Sequence, residues 1–126
     1  MSDIFPSAHA IAHSTAYAVS MLGTTIGIVA LSRPADFARG WGLPSQSNSP
    51  FVYVLGGRNI ALGLLLLTFS YRGKLEEVGT VLLCLPTAAG VDAIVTWTFG
   101  DRRMVWKHIF PALLMTGFGW YLQHMS

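Results

Sequence analysis

Three ionisable side chains, Arg58, Asp92 and His108, sit in or at the start of long apolar runs. Such groups are costly in hydrocarbon and normally have a binding or proton-handling task. Arginine stays protonated, so the charge of Arg58 must be met rather than removed. Asp92 is the candidate partner, with Asn59 and His108 as further hydrogen-bonding groups. In the catalytic reading, Asp92 and His108 transfer protons while Arg58 holds an anionic or enolate oxygen. Asn59, Thr24 and Trp97 are then candidate substrate contacts. In the structural reading, the same ion pair only fixes helix register, since buried pairs are poor net stabilisers. Residue chemistry alone leaves both readings open.

The elements that must position these groups are four apolar stretches, roughly 10–31, 51–70, 78–99 and 109–122. A span needs about 20 mostly apolar residues to cross the hydrocarbon core. Arg58 falls about seven residues into the second stretch, roughly 10 Å deep, and Asp92 about eight residues before the end of the third, roughly 12 Å. The depths match. Thr24 and Thr25 reach a similar level, and His108 opens the fourth stretch on the same side. One half of the molecule is therefore polar inside. The other half, with residues 64–67, 81–85 and 113–115, is close to purely apolar.

Composition agrees with a membrane protein. Charged residues make up 11% of the 126, against about 25% in typical soluble domains. Four polar outer faces cannot be built from so few. The 13 glycines gather in the apolar runs, as in membrane helices. The expected fold is an all-α integral membrane four-helix bundle, a single domain over residues 1–126, with a short interfacial helix in the first loop. A net charge of +2 with no basic run gives no reason to expect a nucleic-acid partner.

Of eight basic residues, Arg33, Arg39, Arg102, Arg103 and Lys107 fall on the side of the first and third loops. Arg72 and Lys74 fall on the other. The excess marks the cytosolic face and places both termini on the non-cytosolic side, with the endoplasmic reticulum as one expected membrane. Met1–Ala10 lacks a basic n-region, so the first stretch is expected to stay in the mature chain. Trp41, Trp97, Phe99 and Trp106 would line one interface, and Tyr71 and Tyr121 the other. In the long first loop, 32–50, Ser32 could cap a short helix over 35–39, with Pro34 in its first turn. Gly40 and Gly42 would end it before Pro44. Phe37, Trp41 and Leu43 suggest a segment lying in the interface. The second loop is short, so the second and third spans should be antiparallel neighbours.

Gly23 and Gly27 form a small-xxx-small pair, and Gly56, Gly63 and Gly79 mark further close approaches between helices. Pro86 is expected to break or kink the third span below Asp92. Cys84 reads as a packing residue. His9 and His13 have the i, i+4 spacing of a metal pair, but no carboxylate accompanies them, so no metal site and no cofactor are expected. No phosphate loop, dinucleotide fingerprint or nucleophile triad occurs.

These residues carry a resemblance. Gly56-Gly57-Arg58-Asn59-Ile60-Ala61-Leu62-Gly63, Gly90-Val91-Asp92, Lys107-His108 and Ala38-Arg39-Gly40-Trp41-Gly42-Leu43-Pro44 make the chain similar to the small fungal and bacterial membrane proteins of domain of unknown function 4267. The resemblance implies four helices, with Arg58, Asp92 and His108 at the family's polar positions. It also implies a departure, because the family typically has Asp where this chain has Asn59, which shifts the balancing of Arg58 onto Asp92. Fungal members often belong to natural-product gene clusters. That association implies a cofactor-free cyclase or isomerase for a lipophilic intermediate, or one subunit of a membrane complex.

Two other functions compete. A scaffold would use the glycine faces and first loop to join a homo- or hetero-oligomer, with membrane lipid around it. A small multidrug-type transporter would need a titrating carboxylate, usually in the first span, which has none. A lipophilic small molecule is the expected ligand of the enzyme reading.

Overall fold

The computed structural model describes residues 7–42 and 50–125. Among them are five α-helices: α1 (Ala8–Ser32), α2 (Pro34–Gly40), α3 (Pro50–Tyr71), α4 (Leu75–Phe99) and α5 (Trp106–His124). A single 3-10 turn, Arg102–Met104, joins α4 to α5. The protein is all-α. Helices α1, α3 and α4 are long and apolar enough to cross a membrane, which supports an integral membrane protein. The fourth expected span corresponds to α5. Its 19 residues include Lys107, His108, Gln123 and His124 near the ends, and it is not among the three.

Apolar side chains face outward in a way water would not favour. Val54 and Ile94 are each 67% exposed and Leu113 66%. Lipid contact explains such an exterior, because hydrocarbon does not penalise it. Fully buried hydroxyls are satisfied within their own helices. Ser20 donates to Ala16 O and Ser70 to Leu66 O, both at 2.7 Å.

The helices associate as two pairs, α1 with α3 and α4 with α5. Glycine sets this choice. A Cβ placed on Gly27 would stand 2.7 Å from Gly56 O, and one on Gly79 would stand 2.8 Å from Gly119 O. Backbones this close need residues without side chains, and packing of this kind drives helix association in lipid. The short turn between α3 and α4 does connect them, with Gly73 at φ 71°. Yet α3 packs far more extensively on α1 than on α4. Helices α3 and α4 are neighbours, as the short loop implied, but each packs more closely on another helix. The glycines proposed for docking other chains, Gly23 and Gly27, instead face α3.

At the end holding both described termini and the α3–α4 turn, the pairs meet in one apolar cluster. It unites Ala12 and Ala16 of α1, Leu66 of α3, Leu75, Val78 and Leu82 of α4, and Leu122 of α5. At the opposite end, the second cluster joins only α1, α2 and α3, through Ala30, Phe37, Ala38, Val52 and Leu55. The short helix over 34–40 is thus tucked against the α1–α3 pair by Phe37 and Ala38. Ser32 belongs to α1 rather than capping α2: its hydroxyl donates to Ile28 O, and Arg33 occupies the cap position. Helix α4 runs through Pro86 without interruption. Leu43, Pro44 and the residues up to 49 lie outside the described residues.

Candidate functional site

Where the two pairs part, they leave a cavity of about 330 Å³. Small-molecule sites run from about 300 to 1,000 Å³. Its walls are apolar: Val19, Leu22 and Ile26 from α1, Leu62 and Leu66 from α3, Leu85 and Ala88 from α4, Leu114 and Met115 from α5. Its polar lining consists of Arg58, Asn59, Asp92, Lys107 and His108. The polar groups come from three helices, and helical geometry explains why. Arg58 and Asp92 lie at like depth on α3 and α4, while His108 opens α5.

Arg58 Nη2 donates to Asp92 Oδ2 at 3.0 Å. The pair bridges the two helix pairs, and its side chains keep 36% and 22% of their surface accessible. Arg58 Nε is buried and has no hydrogen-bond partner among the described residues. An unpaired buried donor is unfavourable.

His108 is 7% exposed. Its Nε2 lies 2.9 Å from Trp41 O and 3.1 Å from Thr96 Oγ1. A carbonyl can only accept, so Nε2 carries the hydrogen and, in the neutral ring, Nδ1 is the acceptor. Thr96 donates its hydroxyl to Asp92 O at 2.8 Å. His108 and Asp92 are therefore linked through Thr96 and the Asp92 backbone. No hydrogen bond or ion pair joins their side chains directly among the described residues.

The segment after α2 closes the polar end. Lys107 Nζ donates to Gly40 O at 2.7 Å, and Asp101 N donates to Gly42 O at 2.9 Å. Gly42 adopts φ 70°, a left-handed conformation open to glycine without strain. Trp41 lines the cavity, with its ring 5.4 Å from that of His108 and 6.0 Å from that of Phe37. Outside the apolar region, the Arg103 side chain hydrogen-bonds Asp101 and holds its carboxyl below the usual carboxylate range.

Of the anticipated site residues, Arg58, Asn59, Asp92 and His108 share the cavity. Thr24 and Trp97 do not line it. Thr24 donates to Ser20 O at 2.9 Å and fills the space beside Gly63. Trp97 is 54% exposed on the outer surface, where the Arg102 guanidinium lies 4.7 Å from the ring centre. Trp41, Lys107 and Thr96 were missed. Thr96 had a signal, being four residues after Asp92 and so on the same helix face. Trp41 and Lys107 stood in the segments that carry the resemblance, but that Trp41 reaches His108 is a matter of tertiary packing. His9 and His13 stack with ring centres 6.1 Å apart, and no group of three possible metal ligands occurs among the described residues.

Fold and site together define a small all-α protein with membrane-length apolar helices and a polar-ended cavity between two helix pairs. The chain belongs to the family described as Domain of unknown function (DUF4267), whose model matches residues 20–122. No curated protein and no solved structure matches it.

Proposed function

We propose that the protein spans the membrane four times, with α5 as the fourth span, and binds a lipophilic small molecule between its helix pairs. We further propose that it acts on that molecule as a cofactor-free isomerase or cyclase. One observation carries this reading: a largely apolar cavity with Arg58, Asn59, Asp92, Lys107 and His108 among its lining. The apolar walls would take the body of the ligand, and the polar groups would orient one functional group. Arg58 would hold a developing oxyanion through donors left over from Asp92. Asp92, through the oxygen not bound to Arg58, and His108, through Nδ1, would take and return a proton. Natural-product precursors with enolisable carbonyls suit that chemistry, and a cytosol-facing polar end, as in an endoplasmic reticulum membrane, follows from the basic loops. The scaffold reading is weakened because Gly23 and Gly27 are already occupied within the chain.

The test is native mass spectrometry of the protein purified from its host in mild detergent. A retained lipophilic molecule is expected. That molecule, returned to the protein in deuterated water, should gain deuterium at carbon with the unaltered chain and not with Asp92→Asn. A stoichiometric second protein and an empty cavity would overturn the enzyme reading in favour of a scaffold.

A further inference from the structure

The cavity is unevenly closed and unevenly charged, and both features bear on what enters it. On the α3–α4 side, the short turn and the Arg58–Asp92 bridge join the pairs. On the opposite side, α1 and α5 barely touch. Leu22 of α1 and Leu114 of α5 line the cavity and yet are 60% and 58% exposed. They therefore stand at a mouth that opens sideways, at a depth where the surroundings are lipid.

Charge is unbalanced at the polar end. Arg58 is matched by Asp92, but Lys107 bonds only a neutral carbonyl, Gly40 O, and has no carboxylate within ion-pair distance among the described residues. A cation beside a low-dielectric cavity attracts a counter-charge.

From these observations we infer the substrate class: a single-chain amphiphile with an anionic oxygen head, entering from the bilayer between α1 and α5. Its head is met by Lys107 and Arg58, and its chain lies against Leu66, Leu85 and Met115. This rests on the proposed use of the cavity as a binding site. About 330 Å³ has room for one slender chain.

The test uses the full chain in phosphatidylcholine nanodiscs with three diazirine-bearing probes of equal length: dodecanoic acid, dodecanol and dodecyltrimethylammonium. Saturable photolabelling is mapped by peptide. The acid should label cavity residues of α1 and α5 with half-saturation at least tenfold below that of the alcohol, and the ammonium probe should not saturate. Lys107→Gln should cut the preference for the acid to under threefold, and continued saturable labelling by the alcohol shows that the variant is folded. Leu114→Trp should slow labelling by both. Equal labelling by acid and alcohol would overturn the anionic class while keeping the cavity as a binding site. No saturable labelling by any probe would remove the cavity reading and this inference with it.

Discussion

The two ends of the bundle solve different problems with the same four long helices. At the terminal end, Ala12, Ala16, Leu66, Val78, Leu82 and Leu122 merge both pairs into one apolar core. At the polar end, the pairs diverge, and an ion pair, a histidine and a short strap hold them instead. The terminal end supplies cohesion, so the polar end can remain hollow. Buried charge there is tolerable because its stability does not rest on that charge.

This contrast can be broken from the seams first. Gly79→Leu would force a side chain into the Gly119 backbone and should destabilise the protein by about 3 kcal/mol or prevent folding. Gly90→Leu, where a Cβ meets nothing within 4 Å, should stay within about 0.5 kcal/mol. Thermal unfolding in detergent compares them, and equal losses would contradict the paired arrangement.

The second test compares two leucines on one helix. Leu82 is fully buried in the terminal core, whereas Leu85 lines the cavity. Leu82→Ala should cost about 3 kcal/mol by leaving a void. Leu85→Ala only enlarges an existing space and should cost about 1 kcal/mol or less.

Asp92→Asn leaves Arg58 without its anion. Both side chains are partly accessible, so the stability loss should be about 1 kcal/mol rather than that of a fully buried pair. Ligand turnover should disappear. Arg58→Met combined with Asp92→Leu should recover stability and still lack turnover, which separates chemistry from register.

His108→Ala removes the tie to Trp41 O. Trp41 emission should shift to the red in a background with the other three tryptophans replaced by Phe, and unfolding should change by less than about 1.5 kcal/mol. The smallest effect concerns Asp101, whose carboxyl is held below the usual carboxylate range by Arg103. Its contribution is present above the unfolded-state pKa and is lost as pH falls through the lower folded-state value. A slight drop in Tm over that acidic window should be absent in Asp101→Asn.

Much of the site was legible because membrane helices make depth readable. Counting residues from the ends of two apolar runs placed Arg58 and Asp92 at one level, and they do pair. The same counting failed for Thr24, because level gives no azimuth. The short turn made α3 and α4 neighbours, while the glycine seam gave α3 its closer partner, α1.

By itself, then, the sequence determined the long apolar helices, their approximate limits and the depth of the buried charges. These follow from local composition and the fixed rise of a helix. Tertiary structure alone decided which helices touch, that the space between the pairs is a cavity, and that Trp41 and Thr96 meet at His108. Those outcomes depend on which faces pack closest, and close packing is settled only when all the helices are together.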